Sequence, residues 1–269
     1  MRALRQAFRH APDGGQHARQ AHRAFDVRRR RRIAPPADVR GLPRRRHDGK
    51  QGRDFDRRSQ AVSATVTPVR FQLPEVPEDQ ARAGYYALLA RLYYAGPDAP
   101  LLESIARPDE IAAGGEASAL ASAWNALSAA ARAMDAEAAC LEYDEVFVGT
   151  GKAEVTPYAT FYLAETGREK ILVRLKNDLA AMGLARTDRS REPEDHVAGL
   201  FEVMRHLISQ GSEDAALQKQ RDFFGRYVGP FFPVFCVAIS KSDKSNFYKY
   251  VAGFSRAFLL VETEVLKVF

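Results

Sequence analysis

Glu192-Pro193-Glu194-Asp195-His196 places three carboxylates and one imidazole on five consecutive residues. Groups of these types can hold a metal, pair with a cationic guest, or cap a helix. A metal site needs its ligands on one face. The other histidine beyond residue 58 is His206, ten positions on and so roughly 280° further round a helix, and neither H-E-x-x-H nor E-x-x-H occurs. No metal is therefore expected. Pro193 suits the first turn of a helix, where its missing N–H is not needed. Glu194 and Asp195 then fall where the positive end of the helix dipole favours negative charge. The sequence predicts a helix over 193–210 with an anionic mouth suited to a cation, and equally accommodates His196 as a plain cap bonded to a loop carbonyl.

A second chemical candidate is Gly149-Thr150-Gly151-Lys152-Ala153-Glu154. Glycines before a lysine suggest phosphate binding. The full G-x-x-x-x-G-K-[ST] pattern is absent, because Gly149 lies too close and Ala153 stands in place of the hydroxyl. The loop also follows a helical segment instead of a strand, so a helix C-cap with a mobile loop is the plainer reading. Tyr143, Phe147, Tyr158, Phe161 and Tyr162 bracket this loop. Most are expected in the core. Pro157-Tyr158 and Tyr162 are placed on irregular backbone, where a tyrosine offers a guest both an apolar face and a hydroxyl. No G-x-S-x-G motif occurs, and neither Cys140 nor Cys236 has a histidine close in sequence.

The elements that must carry these residues read as helices. Tyr85, Leu88, Leu89, Leu92 and Tyr93 mark one face over 78–95, ended by Gly96-Pro97. Asp98 is a plausible N-cap for a short helix over 98–106. Leu120, Trp124 and Leu127 mark 117–132, and Ala139, Tyr143, Val146 and Phe147 point inward from 135–148. Ile171, Leu172, Leu175, Leu179 and Met182 mark 168–182. Val197, Leu200, Phe201, Met204 and Leu207 give the 193–210 helix one buried stripe, and 213–228, 230–240 and 245–267 complete the set. Val234–Ile239 could pass for a short buried strand, but one strand makes no sheet. The fold class is all-α, a single bundle of about nine helices, with Cys140 and Cys236 read as buried thiols.

Charge divides the chain of 269 residues. Residues 1–58 hold 17 Arg and one Lys against six Asp, a net of +12; the whole chain is +6, so the remainder is −6. Clustered positive charge is what phosphate backbones require, so nucleic acid is not expected as partner of the acidic body. A basic peptide suits it better. Residues 1–68, with leucine only at 4 and 42, cannot bury enough apolar surface to offset chain entropy. They are expected to be a disordered basic extension, either a binding arm or a stretch ahead of the true start, with residues 69–269 forming the folded domain. Two cysteines without zinc spacing suit a reducing compartment. With no apolar run of membrane-spanning length and no secretory leader, a cytoplasmic location is expected.

Three segments occur in a specific order: Glu142-Tyr143-Asp144-Glu145-Val146-Phe147-Val148-Gly149, then Thr156-Pro157-Tyr158-Ala159-Thr160-Phe161-Tyr162, then Glu192-Pro193-Glu194-Asp195-His196-Val197-Ala198. The set resembles the TorD/DmsD/NarJ family of redox enzyme maturation chaperones, whose pattern is an E-Y-x-x-L-F-x-G helix end, a P-Y-x-S-x-Y-like segment and an E-P-D-H-type helix start. Gln220, Phe223-Phe224, Pro230, Phe247-Tyr248, Phe258-Leu259 and Glu262 continue the likeness, which covers about residues 78–266. Tyr227-Val228-Gly229-Pro230 departs from the common His-Leu-x-Pro, no tryptophan follows, and Thr160 stands for the usual serine. The stretch from Tyr162 to Gly183 is similar to the branch linked to formate dehydrogenases.

The resemblance implies an all-helical, cytoplasmic, non-enzymatic chaperone. It would bind the twin-arginine signal peptide and the catalytic subunit of a molybdenum-cofactor oxidoreductase, such as formate dehydrogenase, and hold it until its cofactor is inserted. It also implies Asp195 and His196 as the recognition pair, with Glu194 beside them and Pro193 shaping the turn, and Gly149, Tyr158 and Tyr162 lining the same groove. Glu142, Tyr143 and Phe147 are expected to be structural. No cofactor is expected; the rival reading is a helical protein binding or hydrolysing GTP weakly through Gly149–Glu154. The oligomeric alternatives, monomer or helix-swapped dimer, stay open.

Overall fold

The computed structural model describes residues 77–107, 118–149, 151–186, 190 and 192–268. The basic extension read over 1–68 lies outside them. Ten α-helices fill the described residues: α1 (Pro77–Tyr94), α2 (Ala99–Ala106), α3 (Ser118–Ala133), α4 (Ala136–Tyr143), α5 (Ala159–Leu163), α6 (Arg168–Ala181), α7 (Val197–Ile208), α8 (Asp214–Phe223), α9 (Phe232–Lys241) and α10 (Tyr248–Val268). Two of them run on into a π turn, α4 through Asp144–Val148 and α8 through Phe224–Val228. No strand occurs among the described residues, and Val234–Ile239 lies inside α9. The all-α class is therefore correct.

Local chemistry sets several of the ends. Asp98 caps α2 by accepting the Leu101 N–H at 3.0 Å, and Asp135 caps α4 by accepting that of Ala138 at 2.8 Å. Each satisfies a backbone donor that has no partner inside its helix. Arg91 of α1 pairs with the Asp98 carboxylate at 2.6 Å and links the two helices.

The core forms around α7, which packs along α1. Ten of the twelve α7 residues are buried, against the single stripe that periodicity predicts. A helix apolar on all sides belongs in the centre, and Glu202, its one acid, is held by Arg205 at 2.6 Å. Phe201 of α7 meets Tyr86 and Tyr93 of α1. Each such fully buried aromatic contributes roughly 1.5–3 kcal/mol by leaving water. The last helix, α10, covers α1, α3, α8 and α9. Within that contact Glu262 of α10 receives Arg82 of α1 through two hydrogen bonds, of 2.7 and 3.0 Å, with Gln220 of α8 on the same guanidinium at 3.1 Å.

Three expectations need correction. The helix predicted from Pro193 begins at Val197, so Pro193 lies in a turn closed by the His196 N–H on the Pro193 carbonyl. Tyr162 is helical, in the five-residue α5 that periodicity does not reveal. Cys140 is exposed, one step outside the inward face of α4; Cys236 is buried. The expected bundle of about nine helices accords with the ten found among the described residues, α5 being the one that periodicity leaves out.

Candidate functional site

The three motif segments meet. The Val155 N–H donates to the Val146 carbonyl at 2.9 Å, binding the loop after Gly149 back onto the π turn of α4. Tyr158 and His196 form an isolated antiparallel bridge: the Ala159 N–H donates to the Asp195 carbonyl and the Val197 N–H to the Pro157 carbonyl, both at 2.9 Å. This pairing decides where α7 starts, because it holds the backbone of His196 extended, at φ −60° and ψ 133°.

Asp195 and His196 are 4% and 2% exposed. Asp195 Oδ2 accepts from the Thr160 hydroxyl at 2.5 Å. His196 Nδ1 accepts the Ala198 N–H at 3.3 Å, which makes the ring the N-cap of α7. An accepting Nδ1 leaves the proton of the neutral imidazole on Nε2. Burial pushes His196 down to about 4, although the carboxylates of Glu192 and Asp195 pull the other way. The ring is therefore neutral near pH 7. It packs edge-on against Tyr158 and Tyr94, with centroids at 5.5 and 6.3 Å. The recognition pair of the sequence reading is thus enclosed, and it bonds a backbone N–H instead of a loop carbonyl.

The half-exposed groups are Glu192, Pro193, Glu194 and Tyr158. The Tyr158 hydroxyl donates to Glu192 Oε2 at 2.8 Å; burial, then that hydrogen bond, pushes the phenol up to about 12. Glu194 faces Lys176 at 3.5 Å and Arg186 at 3.9 Å. Arg186 also donates to the carbonyl of Ser190 at 2.6 Å, pinning the approach to the turn. The mouth is anionic but compensated: a guanidinium guest would take over Glu194 from two protein cations and Glu192 from a phenol. Lys176 and Arg186 escaped the sequence reading, since nothing in their spacing ties them to residues 192–196, and Thr160 entered it only as the departure from a serine.

Gly149 and Tyr162 stand at the edges of this cluster. Gly149 has φ +64° and ends the π turn with its N–H on the Asp144 carbonyl; a Cβ there would sit 2.2 Å from the Lys152 carbonyl oxygen. The Tyr162 hydroxyl donates to the Thr156 carbonyl at 2.9 Å and its ring packs on Phe235. The backbone from Gly151 to Pro157 is irregular, so Lys152 opens no helix whose N-terminus could cradle a phosphate.

Glu142, Tyr143 and Phe147 join elements. Glu142 accepts the N–H groups of Asn246, Phe247 and Tyr248 at 2.7–2.9 Å, capping α10 from another helix. The Tyr143 hydroxyl donates to the carbonyls of Tyr93 and Tyr94 at the end of α1. Phe147 packs on Tyr248. Elsewhere, a groove of about 580 Å³ opens between α3, α9 and α10, walled by Ala123, Val237, Arg256 and Leu260 with the buried Cys236, and by none of the candidate peptide-binding residues. Among the described residues no group of three His, Cys, Asp or Glu is arranged to hold a metal, and no single helix is long and apolar enough to cross a membrane.

An all-helical protein whose central helix springs from a buried Asp-His turn is the class that this fold and site define. Residues 114–237 match the family model described as nitrate reductase delta subunit. The chaperone protein TorD of Vibrio parahaemolyticus is 28% identical over 134 residues, 46% of this chain and 62% of that protein. TorD of Vibrio cholerae (strain M66-2) is 26% identical over 127 residues, 44% and 57% of the two chains. TorD of Actinobacillus succinogenes is 26% identical over 108 residues, 40% and 54%. Over these residues the chain is similar to the TorD/DmsD/NarJ family. It spans no more than 62% of the length of these relatives.

Proposed function

We propose that the protein is a cytoplasmic, non-enzymatic chaperone for the maturation of a molybdenum-dependent oxidoreductase. It binds the signal segment of the catalytic subunit, two consecutive arginines followed by an apolar run, and supports cofactor insertion before export or assembly. A formate dehydrogenase is the first client to test. The likeness to the family model over residues 114–237 and to TorD chaperones supports the class. The observation that carries the reading is the convergence of Val146–Gly149, Pro157–Thr160 and Glu192–His196 on one spot, where half-exposed Glu192 and Glu194 border the tyrosines. Carboxylates pair with guanidinium groups through charge-assisted hydrogen bonds, and aromatic faces cover apolar residues.

The test is calorimetric titration of the full chain with such a peptide and with a copy whose arginine pair is replaced by alanines. Tenfold or greater preference for the arginine peptide, about 1.4 kcal/mol, supports the reading. Equal binding of both, or of neither, overturns it.

A further inference from the structure

Apart from Cys140, which packs against Gly96 and Pro97, the outward side of α4 and its π turn is exposed among the described residues. Glu137, Cys140, Leu141, Asp144, Glu145 and Val148 are all exposed, at a spacing that lays them along one stripe. Leu141 and Val148 are 60% and 56% exposed, the opposite of where a helix keeps its large aliphatic side chains. The inward side of the same segment is fully engaged by Ala139, Glu142, Tyr143, Val146 and Phe147. The stripe is therefore a second, amphipathic face on a helix that already has a core face.

Its charge is one-sided. Glu137, Asp144 and Glu145 have no ion pair among the described residues, while nearby Asp98 is already taken by Arg91. Three uncompensated carboxylates flanking two exposed aliphatic side chains match a segment that is basic and then apolar. The stripe is also continuous with the site above. Burial first, then the carboxylates of Glu192 and Asp144, hold the Tyr143 phenol above its ordinary value, so acids of both surfaces act on one hydroxyl.

We propose that the outer face of α4 and its π turn is the docking surface for the arginine-bearing end of the client signal segment, with Glu137, Asp144 and Glu145 pairing the guanidinium groups and Leu141 and Val148 seating the first apolar residues. This rests on the chaperone reading. It adds a surface on which the guest's charge meets free carboxylates, where the compensated Glu194 would have to give up Lys176 and Arg186.

The experiment titrates the full chain and its Glu137→Gln/Asp144→Asn/Glu145→Gln variant with the arginine peptide and the alanine copy, at low and at physiological salt. The expected result is tenfold or greater loss of affinity for the arginine peptide in the variant, little change for the alanine copy, and loss of most of the salt dependence. The three side chains are exposed, and a melt of the variant within a few degrees of the parent confirms the fold. If it melts early, Glu145→Gln alone carries the test, with a loss of threefold or more expected. An arginine-peptide affinity unchanged by these substitutions overturns the surface and leaves the chaperone reading intact. A parent chain that binds neither peptide overturns both.

Discussion

The Thr160 hydroxyl and the Asp195 carboxylate meet at 2.5 Å across 35 residues of sequence, and both are buried. The Asp195 carbonyl accepts the neighbouring Ala159 N–H, so side chain and backbone tie α5 to the turn before α7 together. Thr160→Val keeps the shape and removes the donor. Leaving a buried carboxylate short of a partner costs about 1–3 kcal/mol, and Thr160→Ser should cost less than about 1. Urea unfolding of the two variants checks this. Equal losses would show that packing, not the hydrogen bond, fixes the turn.

The His196 ring gives stability a pH dependence of definite sign. Its folded value, about 4, lies below the ordinary histidine value of 6.5, mainly through burial. The unfolded chain therefore takes up a proton first as pH falls. The contribution is complete above about pH 6.5 and is lost progressively towards pH 4, on the order of 2–3 kcal/mol. His196→Asn retains a side-chain cap and cannot titrate. Between pH 7.5 and 4.5 its unfolding midpoint should fall less steeply than that of the parent; parallel curves would refute the assignment.

Glu142 holds three backbone donors at the start of α10. Glu142→Ala should cost about 2–4 kcal/mol, since several buried N–H groups lose their acceptor at once. Glu142→Gln, which keeps one acceptor oxygen, should cost roughly half as much. Hydrogen exchange at the amides of 246–248 should rise in step, and a variant that melts like the parent with those amides still protected would contradict the cap.

Two glycines with positive φ separate space from conformation. At Gly149 (φ +64°) a Cβ would strike the Lys152 carbonyl, whereas at Gly183 (φ +75°) nothing lies within 4 Å. Gly183→Ala should cost about 1 kcal/mol, the penalty of the left-handed region alone. Gly149→Ala should cost at least about twice that, because the loop after the π turn must also move. Thermal melts of the pair decide it.

The helices were legible because their apolar spacing is strong, and Asp98 announces its cap in plain sequence. What stayed hidden depends on distant partners. Pro193 and the acids after it suit a helix start as well as a turn, and only the pairing of 157–159 with 195–197 chooses the turn. The π turns escape because a single widened turn barely disturbs the apolar period. Arg82 is buried because Glu262 meets it from 180 residues away, a partner that no local pattern names. In the candidate site the motif named Asp195 and His196, but not that both face inward, since burial is decided by Thr160 and the aromatic rings around them.

The Arg82–Glu262 bond also orders events in time. The first described helix carries a guanidinium whose buried partner lies in the last one. A chain emerging from the ribosome exposes α1 long before α10 exists, and contacts of such sequence separation form slowly. Until α10 has been made, the part of α1 that meets Phe254 and Phe258 stays open to water and to other chains. The bundle closes only when α10 arrives to cover it.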